Sequence, residues 1–371
     1  SGYFASVRMH SSRNHTMEQP HNEEGVKMHH VGDGSNFISR SGKEYFDIFP
    51  VWDWQKVPGT TTVQKPVHPH WNEIAKKGLT DFVGGVSDGL YGAAAFDFKS
   101  AHDPLKARKS WFFFDDEYVC LGSGITAEAD YPVFTTLNQC LLNSPVVVKS
   151  KKEEVTLEKG KHNLSNVTWI LHDGVGYVFS EGQKVNITNT TASGSWREIN
   201  HQAGSSRDQV HMDVFSLWLD HGVKPQQARY EYIVAPADEA ASLDRYSKNS
   251  PIEILSNTEE MQAVSHKVLN RSFIVFYAPG RIEVGDHISI SAASPCIVML
   301  KTNGKSIEQI AVSDPSRKLE GIQLTTSAMV EGSGKEWKSA WNKKEKMSVI
   351  DIELPKLGES GKSVVFTTPG L

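Results

Sequence analysis

The stretch 106–125, KARKSWFFFDDEYVCLGSGI, decides the fold class. It consists of two apolar runs that are joined by the acidic turn Asp115-Asp116-Glu117. Two such runs around a short polar turn predict a β-hairpin. The preceding stretch 90–98, LYGAAAFDF, alternates in the way that a half-buried strand does. We therefore expect antiparallel strands in this part of the chain.

Hairpin signals recur along the rest of the sequence. The stretch 166–180 contains Asp173-Gly174, a dipeptide that favours a type I′ turn. The stretches 210–222 and 228–236 predict another pair of strands, and Asn303-Gly304 predicts a further hairpin. Strands of this number, joined by hairpins, favour antiparallel sandwiches over a parallel sheet.

Helical periodicity is nearly absent, with one predicted exception at 257–269, where Met261, Val264 and Val268 could face inward. The composition changes at 237–251, ADEAASLDRYSKNSP, which is polar, lacks a strand pattern and ends at a proline. We interpret this segment as an interdomain linker. The sequence thus predicts a first β domain at 1–236 and a smaller second β domain at 252–371.

The composition limits the class of protein. The 371 residues are 39% hydrophobic and 22% charged, as in a soluble globular protein of two domains. A net charge of −5 provides no global basic field for nucleic acid, and no apolar run reaches the roughly 18–20 residues of a membrane helix. Three cysteines allow at most one disulfide. The chain opens on SGYFASVRM, without a starting methionine or a signal peptide, so we expect a processed or excised piece of a longer protein.

The segment 13–34, RNHTMEQPHNEEGVKMHHVGDG, concentrates charged residues and histidines without a hydrophobic period. It could be a catalytic centre, a metal site or a polar surface loop. Histidines also cluster at His68-Pro69-His70, and a His-x-His on a strand suits zinc or copper. Because Pro69 would interrupt such a strand, we favour loop histidines and predict no metal ligands. A structural calcium site, built from loop oxygens, leaves little sequence trace and stays open.

Tryptophans are frequent in the first predicted domain. The stretch 49–62, FPVWDWQKVPGTTT, places Trp52 and Trp54 on one face of a predicted strand, with Asp53 opposite. Indoles beside charged groups can stack on sugar rings in a binding cleft. They can also fill a sandwich core, and we expect that role for most of this set: Trp52, Trp54, Trp71, Trp111, Trp169, Trp196 and Trp218.

The order of these motifs resembles the central region of polysaccharide lyase family 8, the chondroitin, hyaluronan and xanthan lyases. The resemblance begins with Arg13, Glu18 and Gly32-Asp33-Gly34, and it continues through WDWQKVPGTT, GGVSDGLYGAAAFDF and YEYIVAP. It covers roughly residues 5–236 and, more weakly, the part from Ile252 onwards. It implies an all-β chain, in which a large antiparallel β-sandwich (supersandwich, galactose-mutarotase-like) is followed by a smaller C-terminal β-sandwich.

The resemblance also implies a reaction, β-elimination at a uronic acid, for which no cofactor is required. In the family most catalytic groups lie in an N-terminal α/α toroid, and no segment of this chain has the helical content of one. Glu18 matches the β-domain glutamate that pairs with the toroid's arginine and fixes its tyrosine, so it is the predicted catalytic residue. Pro20 departs from the family pattern in this loop. The predicted substrate-binding residues are Arg13, His21, Asn22, Glu24, Trp52 and Trp54.

Two functions compete at this point. In the first, the chain is the β-domain portion of a secreted or periplasmic bacterial lyase, whose partners are an acidic polysaccharide and the toroid of the same enzyme. In the second, it is a non-catalytic carbohydrate-binding or structural β-sandwich module. Neither function involves nucleic acid or a membrane.

Overall fold

The structure is a computed structural model that describes residues 2–368. Strands make up most of the chain, and they pair antiparallel. Among the described residues, no helix has the length and apolar character needed to cross a membrane. The strands before residue 240 are β1 (Phe4–Arg8), β2 (Ser35–Ser39), β3 (Thr61–Val63), β4 (Val83–Ser87), β5 (Gly92–Lys99), β6 (Leu105–Phe113), β7 (Tyr118–Ala127), β8 (Pro132–Leu141), β9 (Val147–Ser150), β10 (Glu154–Thr156), β11 (Lys161–His172), β12 (Val175–Gly194), β13 (Val210–Val223) and β14 (Ala228–Pro236).

The chain divides into two compact units. The first comprises the residues up to Thr80 together with Phe98–Ala107 and Ile125–Lys248. The second comprises Asp81–Asp97, Arg108–Gly124 and the residues from Asn249 onwards. The interdomain linker at 237–251 remains a prediction. The second unit also includes two segments from earlier in the chain, and no local sequence pattern predicts that they belong to it.

A single long strand, β12, organises the first unit. It forms a hairpin with β11, and the turn lies at Asp173-Gly174 as predicted. The φ angles of these two residues are 48° and 71°, which are the left-handed values that a type I′ turn requires. On the far side of β12, the strands continue through β13, β8 and β3.

The predicted strands at 210–222 and 228–236 are both present, as β13 and β14, but the prediction that they form a pair is wrong. Val175–Val178 of β12 pairs with β14, whereas Asn186–Gly194 of the same strand pairs with β13. Because β12 is 20 residues long, it accommodates both neighbours along its length. Adjacency in sequence therefore predicted the wrong partner.

The second unit contains two six-stranded sheets, ordered β15-β16-β17-β20-β21-β26 and β18-β19-β22-β25-β24-β23. Apolar residues from both sheets, including Phe276, Leu300 and Ile350, form one buried core. These two sheets therefore make up the smaller C-terminal β-sandwich. Its strands are β15 (Ile252–Asn257), β16 (Met261–His266), β17 (Arg271–Phe276), β18 (Gly280–Val284), β19 (Ile288–Ala292), β20 (Cys296–Asn303), β21 (Ser306–Ser313), β22 (Gly321–Thr326), β23 (Gly332–Ser333), β24 (Trp337–Asn342), β25 (Met347–Glu353) and β26 (Val364–Thr367).

Two further predicted hairpins are confirmed. The first joins β6 and β7 around Asp115-Asp116-Glu117, where the N–H of Phe114 donates to the carbonyl of Glu117. The second joins β20 and β21, but its turn lies at Gly304-Lys305, one residue later than predicted, because Asn303 still pairs with Ser306.

The helix predicted at 257–269 is wrong, since this segment forms the end of β15 and all of β16. Strand β16 lies between β15 and β17 and buries consecutive residues on both faces, so the sheet overrides the helical spacing. The α-helix of the chain's described part is instead α1, Ala240–Lys248, inside the predicted linker. It buries Leu243, and Asp244 accepts a hydrogen bond from the indole of Trp169 at 3.3 Å.

The predicted strand at Trp52 and Trp54 is also wrong. Pro50 lies in a 3-10 helix, Phe49–Val51, and the following residues form turns. The two indoles meet edge to face, with ring centres 5.3 Å apart. Both are buried in an apolar cluster with Ile48 and Val57. Proline and the successive turns leave no extended ladder for these residues to join.

Candidate active-site loop

Residues 9–34 form a long loop between two strands that pair with each other, β1 and β2. Arg8 lies opposite Ser35, and the N–H of Gly34 donates to the carbonyl of Arg8 at 3.0 Å, so the two ends of the loop are held together. The polar segment singled out in the sequence therefore belongs to a loop that connects the two strands of a two-stranded antiparallel sheet. We call residues 13–24 the outer half of this loop and residues 25–34 its inner half.

The outer half is anchored to the segment that runs from Trp71 to Thr80. The N–H of Thr16 donates to Lys76 O at 2.8 Å, and the hydroxyl of Thr16 donates to Ile74 O at 3.0 Å. The side chain of Gln19 bridges two further backbone groups, because its amide donates to Trp71 O and its oxygen accepts from the N–H of Ala75. These bonds fix the backbone on both sides of Glu18.

A second set of contacts holds the junction of the two halves, at residues 22–26, near Ile199. The N–H groups of Gly25 and Val26 donate to Ile199 O at 2.9 and 3.1 Å. The carboxylate of Glu24 accepts from the side chain of Asn22 at 2.8 Å and from that of Asn200 at 3.4 Å. Asn22 and Glu24, two predicted substrate-binding residues, are therefore neighbours, and both are exposed.

Glu18 is exposed and lines an open pocket of about 510 Å³. Within residues 2–368, its carboxylate has no hydrogen-bond or ion-pair partner, so it is available to a group from outside the chain. The pocket contains the predicted residue His21 but not Arg13, which is exposed elsewhere in the loop. The pocket is lined by Arg8, His15, Met17, Glu18, Gln19, His21 and Ala75.

Two pocket residues, Arg8 and His15, were missed by the sequence reasoning. Arg8 ends strand β1 and therefore lies just before the motif segment 13–34. A guanidinium and imidazoles around one carboxylate suit an acidic ligand, because they can donate charge-assisted hydrogen bonds to it.

The inner half of the loop is buried around Asp33. Its carboxylate accepts from His10 Nε2 at 3.1 Å and from His30 Nδ1 at 2.9 Å, and all three side chains are nearly inaccessible. Burial alone would raise the pKa of Asp33, but the hydrogen bonds from His10 and His30 hold it well below its usual value. Glycine at position 32 is required for this packing, since a Cβ there would collide with the carbonyl of Thr16 in the outer half.

Four histidines lie side by side next to this carboxylate: His29, His30, His68 and His102. They come from three separate parts of the chain. Burial and the neighbouring histidines together lower the pKa of His68 and of His102 to about 3, although Asp33 acts to raise that of His102. Burial also lowers the pKa of His29. These predicted loop histidines are therefore largely buried. His70 lies outside the cluster and packs against Trp71, with ring centres 5.1 Å apart.

Trp52 and Trp54 do not offer a flat exposed face. They are 7% and 5% exposed, and their indole N–H groups donate to backbone carbonyls, Gln139 O at 3.2 Å and Phe49 O at 3.3 Å. This burial favours the alternative that both rings stabilise the core near the loop. Trp71 is more accessible, and its backbone carbonyl accepts a hydrogen bond from the pocket residue Gln19 at 2.8 Å.

Two family models match the chain. Residues 1–247 match the super-sandwich domain of polysaccharide lyase family 8, and residues 253–323 match the C-terminal β-sandwich domain of the same family. The chain belongs to polysaccharide lyase family 8. The fold of this polysaccharide lyase family member is confirmed as all-β, with large antiparallel sheets and a smaller C-terminal sandwich.

The relatives and solved structures that the chain resembles are named as lyases of several polysaccharides. It is 39% identical over 325 residues to the chondroitinase-AC of Pedobacter heparinus, covering 85% of this chain and 44% of the relative. It is 31% identical over 316 residues to a hyaluronate lyase of Thermasporomyces composti, covering 82% and 39%. The solved structure of Paenibacillus xanthan lyase superposes with a TM-score of 0.88 at 26% identity, over 99% of this chain and 36% of that one. This polysaccharide lyase family member thus spans less than half the length of each.

Proposed function

We propose that this chain is the β-domain portion of a polysaccharide lyase that cleaves uronic-acid-containing glycosaminoglycans by β-elimination. The observation that carries the proposal is the exposed Glu18, which has no partner among the described residues and stands in an open pocket on a loop held at both ends. Membership of the family and the names of the relatives, chondroitinase-AC and hyaluronate lyase, support the substrate class.

In the proposed mechanism, Glu18 is a positioning residue. Its carboxylate pairs with an arginine of an N-terminal α/α toroid and so fixes the tyrosine that transfers the proton. A base removes the C5 proton of the uronate, and charge collects on the uronate carboxylate. The 4-O glycosidic bond then breaks while an acid protonates the departing oxygen, which leaves an unsaturated sugar. Cationic and hydrogen-bonding groups must neutralise that carboxylate, and Arg8, His15 and His21 are the candidates in this chain.

The proposed partners follow from the same reasoning. The acidic polysaccharide is the substrate, and the toroid belongs to the remainder of the enzyme, for which the greater length of the relatives leaves room. We further propose a secreted or periplasmic location in a bacterium, because a polymeric substrate meets the enzyme outside the cytoplasm. Detection of the protein in the cytoplasmic fraction alone would contradict this location.

The test compares wild type with Glu18→Gln in the complete enzyme. We expect kcat on chondroitin or hyaluronan to fall by about 10²-fold or more, because a displaced catalytic group costs that much, while KM changes little. The ultraviolet absorbance of the unsaturated product measures turnover. A matched control is Glu158→Gln, an exposed carboxylate outside the loop, which should keep wild-type turnover.

Other outcomes discriminate between the two functions. If Glu18→Gln keeps wild-type kcat, Glu18 does not position the catalytic groups. If the complete protein forms no unsaturated product from chondroitin, hyaluronan or xanthan, yet this chain binds one of them, the chain is a carbohydrate-binding module instead.

A further inference from the structure

The histidine cluster beside the loop has no role in the proposed reaction. It consists of His29 and His30 from the inner half, His68 from the segment after β3, and His102 from the turn between β5 and β6, all within the first compact unit. The ring centres of His29 lie 5.5 Å from those of both His68 and His102. Those of His30 lie 6.2 and 5.9 Å from the same two rings, and His29 and His30 are 6.4 Å apart.

Two of these rings are oriented by groups outside the cluster. His30 uses its Nδ1 to bind the carboxylate of Asp33 at 2.9 Å, and its Nε2 is buried without a partner. His29 directs its Nε2 towards the carbonyl of His70 at 3.4 Å, and its Nδ1 is buried without a partner. Both side chains are at most 1% exposed. Metal-binding histidines show this arrangement, in which one nitrogen donates to a carboxylate or carbonyl and the other binds the metal.

The other two rings add nitrogens of the same kind. Nδ1 of His68 and both ring nitrogens of His102 are buried without a hydrogen-bond partner. A buried polar atom without a partner is costly, and here such atoms occur on four adjacent rings. Each neutral imidazole offers one lone pair and one N–H, and His29 and His30 already use one nitrogen each outside the cluster. A bound cation would accept the four lone pairs at once.

We propose that His29, His30, His68 and His102 form a structural binding site for a transition-metal ion of the zinc type. Zn–N bonds of about 2.1 Å place ring centres about 3.2 Å from a tetrahedral ion, and therefore about 5.2 Å from each other. The observed separations of 5.5–6.4 Å exceed this value by about 1 Å at most. Among residues 2–368 no three such side chains already stand at metal-binding geometry, so small ring movements must accompany binding.

The chemistry of the donors selects the class of ion. Neutral imidazole nitrogens suit zinc, copper, nickel and cobalt, whereas calcium and magnesium prefer oxygen ligands. Asp33 supplies negative charge through His30. The ion would join the inner half of the loop to two distant segments and so stabilise the base of the candidate active site.

The experiment measures zinc binding by the chain after dialysis against chelator, with any affinity tag removed. We expect isothermal titration with zinc chloride to show one equivalent bound, and cobalt chloride to produce the visible bands of a tetrahedral nitrogen site. His68→Ala and His102→Ala should each weaken zinc binding at least about tenfold. These two side chains are only partly buried, so both variants should fold, which circular dichroism verifies.

The matched control is His211→Ala, which removes an exposed histidine of β13. It should bind zinc like the wild type. Failure of the wild-type chain to bind one equivalent of zinc or cobalt would overturn the proposal. Undiminished binding by folded His68→Ala and His102→Ala would also overturn it, because the metal would then lie elsewhere. Since neither readout uses lyase activity, the result is independent of the proposed function.

Discussion

The two halves of the loop at 9–34 both contain histidines and carboxyl groups, but their environments are opposite. The outer half exposes Glu18, His21, Asn22 and Glu24, whereas the inner half buries His29, His30 and Asp33. In the outer half, the backbone is fixed while the carboxylate of Glu18 stays available. In the inner half, polar side chains bond to each other and form the base on which the outer half rests. Polar composition alone therefore does not distinguish a reactive surface from a polar core.

The largest expected effect tests the inner half. Asp33→Ala removes the shared acceptor of His10 and His30 inside the protein, so we expect the free energy of unfolding to fall by about 3–5 kcal/mol. Chemical denaturation at pH 7 measures this loss. The control is Asp208→Ala, an exposed aspartate of the same unit, which should change stability by less than about 0.5 kcal/mol. Equal stability of both variants would mean that the inner half is not a structural base.

A smaller effect is expected at Glu44, a buried carboxylate that contrasts with the exposed Glu18. Its oxygens accept from the hydroxyl of Ser39 at 2.6 Å and from the N–H groups of Arg40 and Ser41 at 2.8 and 2.7 Å. Burial by itself raises the pKa of Glu44, but these hydrogen bonds lower it to about 2. In the unfolded chain the carboxyl titrates near 4.5.

The depressed pKa of Glu44 determines how stability changes with pH. The stabilisation by ionised Glu44 is fully present above about pH 4.5 and is lost as the pH falls towards 2. We expect Glu44→Gln to lower stability at pH 7 by about 1–3 kcal/mol and to reduce the acid-dependent decline. Denaturation midpoints measured between these pH values test this. If the variant and the wild type lose stability in parallel, Glu44 is not the group that titrates.

The smallest expected effect tests the outer half. Glu18→Gln should change the free energy of unfolding by less than about 0.5 kcal/mol, because the exposed carboxylate has no partner among the described residues. Thermal denaturation of the isolated chain measures this. A large loss of stability would show that Glu18 belongs to the structural set with Asp33, and the contrast between the two halves would disappear.

The patterns that predicted the fold correctly are local. Alternating apolar residues and the turn residues Asp173-Gly174 and Asp115-Asp116-Glu117 depend on neighbours a few positions away, and their hairpins are present. Where tertiary packing competes with local preference, prediction was wrong. The segment 257–269 has helical spacing but forms a central strand. The predicted strand at Trp52 and Trp54 is replaced by a 3-10 helix and turns around Pro50.

The family and the candidate residue Glu18 follow from the sequence by itself, since an ordered set of motifs carries both. The pocket around Glu18 does not, because Arg8 and Ala75, which also line it, lie outside the segment 13–34 and are brought beside Glu18 by the fold. The histidine cluster also depends on tertiary structure. His30 and His102 are 72 positions apart in the chain, and no local pattern encodes their approach to within 5.9 Å. Chemistry-bearing residue types are visible in a sequence, whereas their burial and their neighbours are decided by the contacts that folding creates.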